Sequence, residues 1–191
     1  MDVDINIHLY YIYFNILLKQ SLMIKSPDLL RKRLNSKEKE AEQGILLLLG
    51  GVMFICGFVV AGLNYRFEWI ILPKYIVYIG AIIFLLAYVL YAEVLRENMY
   101  LSRIIEIQEN QKVIDKGLYG IVRHPMYLST ILLFLSIPLV LGSLFSFLIF
   151  MIYPFIIAKR IKNEEKVLEE GLKGYLEYKE KVKYKMIPFI W

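Results

Sequence analysis

Two short stretches hold most of the residue types able to do chemistry in this 191-residue chain. The first, 111–127, reads Gln-Lys-Val-Ile-Asp-Lys-Gly-Leu-Tyr-Gly-Ile-Val-Arg-His-Pro-Met-Tyr. Proline disfavours α geometry in the residue before it and suits the first position of a helix. His124 is therefore predicted to stand at the N-terminal mouth of a helix beginning at Pro125. The free N–H groups of such a first turn form an anion site, and Gly117 and Gly120 let the approaching loop turn tightly. In the second stretch Arg160, Glu164, Leu168 and Leu172 are successive i+4 neighbours, so a guanidinium and a carboxylate share one helical face. Plainer readings exist: an interfacial Arg-His-Pro anchor that only ends a loop, and an exposed Arg–Glu pair of small energetic worth. Position weakens the second of these, because a charged pair where an apolar segment meets water can serve a bound polar ligand.

Such residues need elements to hold them, and the composition says which. Hydrophobic residues make up 58% of the chain and charged residues 21%, with a mean hydropathy of +0.52. Charge-free runs extend over Gly44–Leu63, Tyr75–Ala92 and Pro125–Ala158, of 20, 18 and 34 residues. A soluble domain has no use for such runs, so disorder, collagen, a secreted disulfide scaffold and an ordinary cytosolic enzyme are set aside. About 20 apolar residues cross a hydrocarbon core roughly 30 Å thick. The first two runs meet that length, while Ile5–Ile24, interrupted by Asn6, His8, Asn15, Lys19 and Gln20, either spans or lies in the interface. The long run would make a single helix of about 50 Å, too long for the bilayer. Gly142-Ser143 near its middle reads as a turn, which predicts a hairpin with Pro138 kinking one arm and Pro154 the other. The expectation is an all-α, polytopic membrane protein of four to five transmembrane helices, with a C-terminal helical hairpin and a cytoplasmic C-terminal helix. Residues 1–92 would supply the N-terminal spans and a cytoplasmic loop, and 93–191 the chemistry.

Lys and Arg number six in Lys25–Gln43, five in Glu93–His124 and nine in Lys159–Trp191, but two in Asn64–Lys74 and none at the Gly142 turn. The positive-inside rule then puts the three rich segments in the cytoplasm, leaving the N-terminus outside for five spans and inside for four. The basic residues form no stripe interleaved with stacking aromatics, which speaks against nucleic acid. No Asp, Glu, Lys or Arg interrupts the four stronger spans, which speaks against a pump, coupled transporter or voltage sensor. Gly57 and Ala61 make a small-xxx-small face suited to helix packing. The single cysteine, Cys56, excludes an intramolecular disulfide and a thiol-rich metal site and reads as a small hydrophobe. His8 reads as interfacial, so no metal site is expected. The opening Met-Asp-Val-Asp lacks the basic region of a secretory signal.

At the two polar stretches the sequence resembles the isoprenylcysteine carboxyl methyltransferase family, with the membrane phospholipid methyltransferases nearby. The resemblance runs from about Glu93 to Pro188. It rests on Gly117-x-Tyr119, Arg123-His124-Pro125-x-Tyr127, Arg160-x-x-x-Glu164-Glu165 and Gly174-Tyr175-x-x-Tyr178, four pieces in order around a predicted hairpin. Gln111 stands where relatives often carry a histidine. The resemblance implies a multi-span helical enzyme using S-adenosylmethionine in a pocket open to the cytosol. That pocket is not a Rossmann fold, and no glycine-rich strand-to-helix turn occurs in this chain. By position, Gln111, Lys112, Val113, Ile114, Tyr119, His124, Pro125, Met126, Tyr127 and Glu164 would line the cofactor site, and Arg160 would face the methyl acceptor. Arg160, Glu164 and His124 would carry the catalysis. The helix N-terminus and His124 would hold the cofactor's carboxylate end, and Tyr119 and Tyr127 would pack on its adenosyl group. A lipophilic acceptor would enter sideways from the bilayer.

Three other readings stay open at this point. One is a phospholipid, amine or thiol methyltransferase of the same superfamily, in which His124 or Glu164 would have to act as base. Another is a sterol-type reductase, whose larger span count fits 191 residues poorly. The third is a membrane scaffold or lipid-binding protein without catalysis.

Overall fold

A computed structural model describes residues 41–98, 100, 105, 107 and 110–191. The segment 5–24, expected to span or to lie in the interface, is outside the described residues, as is most of the basic segment after it.

The first apolar run forms α1, Ala41–Phe67, and the second α2, Lys74–Glu97. Both exceed the runs that announced them. Once an apolar stretch is helical, each added residue contributes a backbone hydrogen bond, so the helix runs on into flanking polar sequence. At 27 and 24 residues each is long enough to cross a bilayer. Asn64 organises the connection: its Nδ2 donates to the Ile70 carbonyl at 3.0 Å and its Oδ1 accepts from the Ile70 N–H at 3.2 Å. The expected division at 92/93 falls inside α2, which passes through it without a break.

The 34-residue run folds as a hairpin. Its first arm is α3, Pro125–Val140, with Pro125 in the first turn as its preset φ favours. Pro138 lies within this helix. The chain then turns at Gly142, whose φ of +67° suits glycine. Ser143 caps the return helix α4, Leu144–Phe150, its hydroxyl accepting from the Ser146 N–H at 3.3 Å. A turn at Met151-Ile152 precedes α5, Tyr153–Gly171. Pro154 acts here differently from a kink at its own position. It has no N–H to offer the Phe150 carbonyl, so the helix ends one turn upstream and restarts with Pro154 in its first turn. Together Leu144–Gly171 make a third stretch of crossing length, beside the shorter α3.

Close packing joins these elements. A Cβ on Gly80 would lie 2.8 Å from the Leu139 Cβ, so only a glycine lets α2 meet the end of α3 this closely. A Cβ on Gly57 would fall 2.3 Å from the Phe150 ring, and Ala61 on the same face is buried. Phe54 adds edge-on contacts to Phe134 and Phe150, at 4.6 and 5.2 Å between ring centroids. Around them lies a core of Met53, Tyr127, Ile131, Tyr153, Ile157, Ile161 and Met186. The outward faces of α1 and α2 expose Leu48, Ile55, Leu86 and Val89, with Cys56 among them. A bilayer solvates such faces, and water would not.

Beyond α5, Gly174 takes a φ of +84° and leads into α6, Tyr175–Lys181. Leu172, Tyr175, Tyr178 and Val182 form a second small core. The tail then returns to the hairpin: Arg123 N–H donates to the Tyr184 carbonyl at 3.0 Å and His124 N–H to the Lys185 carbonyl at 2.7 Å. The two polar stretches are thereby tied together at one end of the bundle.

Candidate functional site

One cavity opens at this end of the hairpin. The loop before α3 supplies Gln111, Lys112, Val113 and Ile114, and the 3-10 turn Gly117–Gly120 supplies Tyr119. The first turn of α3 gives His124, Met126 and Tyr127, and α5 gives Arg160 and Glu164. Ten of the eleven candidate residues thus share one wall-to-wall space. Pro125 does not reach it and is fully buried at the start of α3, where it sets the direction of the helix.

The two stretches meet through Tyr127. Its hydroxyl donates to Glu164 Oε2 at 2.5 Å and accepts from Arg160 Nε at 3.1 Å. Arg160 and Glu164 share a helical face as their spacing requires, and a tyrosine from another helix bridges them. Tyr127 and Arg160 are buried and Glu164 is half-buried, so the pair differs from an exposed i+4 contact.

Glu165, one residue on, turns about 100° around the helix and faces the other way. It is nearly fully buried, and three side chains converge on it through four nitrogens. Arg123 brings Nε and Nη2, each 2.8 Å from Oε1; His124 Nε2 lies 3.3 Å from the same oxygen; Lys185 Nζ lies 2.8 Å from Oε2. Arg123 also donates through Nη1 to the Val182 and Lys183 carbonyls, at 2.6 and 2.9 Å. A buried charge is tolerated only when paired and hydrogen-bonded like this. His124 lines the cavity, yet its Nε2 faces Glu165. Its ring is thereby fixed from behind while it forms part of the cavity wall.

The loop side is latched as well. Gly117 has φ +59°, and a Cβ there would fall 2.0 Å from the Glu97 carboxylate, whose Oε2 accepts from the Leu118 N–H at 2.9 Å. Tyr178 Oη donates to the Tyr119 carbonyl at 2.7 Å, and Lys181 pairs with Asp115 at 2.8 Å. Burial pushes the phenols of Tyr119, Tyr175 and Tyr178 well above the ordinary tyrosine range, so each remains a neutral hydroxyl.

Further residues reach the cavity that the reading of candidates passed over: Asn98, Tyr100, Ile105, Arg123, Val167, Leu168, Leu172, Tyr175 and Tyr178. Arg123, Tyr175 and Tyr178 stood in the motifs without a role, and Leu168 and Leu172 lay on the Arg160 face. Asn98 had no signal, because it comes from the end of α2 and its place depends on how that helix packs.

This architecture is that of a helical membrane protein with a polar pocket at the mouth of a hairpin. It is similar to the solved structure of the eukaryotic intramembrane Ras methyltransferase ICMT (isoprenylcysteine carboxyl methyltransferase) without a monobody. The TM-score is 0.66 at 17% sequence identity, over 88% of this chain and 60% of that one. This chain therefore spans about three-fifths of that structure's length. No curated protein matches the sequence at a significant level. The model of the isoprenylcysteine carboxyl methyltransferase (ICMT) family matches residues 78–170, a segment that holds three of the four motifs resembling that family.

Proposed function

We propose that this protein is an integral-membrane, S-adenosylmethionine-dependent methyltransferase acting on a lipophilic acceptor, most like isoprenylcysteine carboxyl O-methylation. One observation carries the reading: the Arg160–Tyr127–Glu164 bridge and the 111–114 loop face one cavity within or beside the family-matched segment. The donor set fits S-adenosylmethionine. Glu164 and the tyrosines offer acceptors to an amine and to ribose hydroxyls, the tyrosine rings offer faces to a purine, and the cationic side chains suit a carboxylate. Gln111–Ile114, Tyr119, the His124–Tyr127 turn and Glu164 would hold this group. When bound, it supplies an electrophilic methyl on a sulfonium.

The remaining work falls to the chain. Arg160 would pair with an acceptor carboxylate, while Tyr127 fixes the guanidinium so that it need not reorganise. A carboxylate is already a nucleophile, so alignment supplies most of the acceleration and no base is needed. An amine acceptor would require a base. His124 Nε2 already faces Glu165, which leaves that duty to Glu164 and favours the carboxylate reading. The basic segments around the site support a cytoplasmic face for it, and the acceptor's tail would lie in the bilayer.

Purified protein incubated with methyl-labelled S-adenosylmethionine and lipid or small-molecule extracts tests the reading. Label is expected in a lipophilic product from which base hydrolysis releases it as methanol, as a methyl ester requires. A base-stable labelled amine or thioether would overturn the carboxyl assignment, and no transfer to any fraction would overturn the enzyme.

A further inference from the structure

Tyr175 lines the cavity with a buried phenol whose hydroxyl has no hydrogen-bond partner among the described residues. The side chain is only 4% exposed. A buried hydroxyl left unpaired costs stability, and such a cost persists where a function needs the group. The neighbouring tyrosine makes the contrast. Tyr178, three residues on and packed in the same small core, spends its hydroxyl on the Tyr119 carbonyl at 2.7 Å. The two tyrosines share a motif and a helix, and one is structurally satisfied while the other is not.

We propose that Tyr175 is a further ligand-binding residue, its hydroxyl receiving from bound S-adenosylmethionine or its demethylated product the hydrogen-bond partner that the protein does not provide. This rests on the reading of the cavity as a methyl-donor site. The surroundings indicate which part of the ligand it meets. The carboxylates of Glu164 and Glu165 act on this phenol and Arg123 opposes them. A region of that character favours a donor group, an ammonium or a ribose hydroxyl, over the ligand's carboxylate. The neutral phenol can accept from such a donor and still give its own proton to a second atom.

The test is calorimetric titration of S-adenosylhomocysteine into detergent-solubilised wild type, Tyr175→Phe and Tyr178→Phe, with thermal unfolding of each in the absence of ligand. Tyr175→Phe is expected to bind roughly tenfold more weakly while melting at or above the wild-type temperature, since it removes an unpaired polar atom and keeps the ring. Tyr178→Phe is expected to melt lower. Wild-type affinity in Tyr175→Phe would overturn the inference and leave the methyl-donor site standing. Weaker binding accompanied by a lowered melting temperature would make the hydroxyl structural and overturn it too. Absence of binding by wild type would overturn the site reading itself, and this inference with it.

Discussion

Tyr127 works at both ends of its side chain: the ring packs in the hydrophobic core, and the hydroxyl joins a guanidinium to a carboxylate. Replacing it by phenylalanine keeps the packing and severs the bridge. Methyl transfer by Tyr127→Phe is expected to fall about 100-fold, the scale of a misplaced reacting group, with the melting temperature little changed. Parallel rate and melting measurements check this, and an undiminished rate would deny the bridge its role. Glu165 makes the opposite prediction. Its carboxylate answers Arg123 and Lys185 in a buried setting, so Glu165→Leu leaves those cations unmatched. A loss of about 3 kcal/mol is expected, read as a lower denaturation midpoint in the ligand-free protein; an unchanged midpoint would contradict the role given to this network. Sequence spacing put Arg160 and Glu164 on one face. It gave no means of seeing that Tyr127, 33 residues before Arg160, would stand between them.

Two glycines with positive φ separate conformational strain from crowding. At Gly142 a Cβ would meet open space, so Gly142→Ala costs only the left-handed backbone, about 1 kcal/mol. At Gly117 the same strain is joined by collision with the Glu97 carboxylate, which must give up its bond to the Leu118 N–H. Gly117→Ala should therefore cost roughly 1 kcal/mol more than Gly142→Ala, measurable by comparing their unfolding midpoints; equal costs would show that Glu97 does not hold the loop. The hairpin was legible because a 34-residue apolar run cannot cross as one helix and Gly142-Ser143 offers a turn. The break at Met151-Ile152 was harder to place, since proline acts through the carbonyl four residues before it. The small-residue face at Gly57 was visible, but its partner Phe150 lies 93 positions away, and no local pattern encodes that distance.

As a whole the chain is an asymmetric membrane object: apolar helices meet lipid, and one end gathers the polar stretches, α6 and the tail. The positive-inside rule predicts that end to be cytoplasmic and the α1–α2 connection to be outside. Single cysteines placed by Glu68→Cys and Lys183→Cys, in a Cys56→Ala background, should therefore react with an impermeant maleimide from opposite faces of oriented vesicles; labelling from the same face would contradict this layout. The site was legible to the extent that its residues lie in short motifs around the hairpin. Asn98 and the Glu165 network were less so, because they depend on how α2 and the tail fold back. The whole account rests on those motifs enclosing a single methyl-donor pocket. Irradiating the purified protein with radiolabelled S-adenosylmethionine and mapping the labelled peptides tests this most directly. Label is expected in peptides covering 111–127 and 160–178, and to be displaced by S-adenosylhomocysteine. Displaceable label confined to peptides outside both stretches would contradict the account.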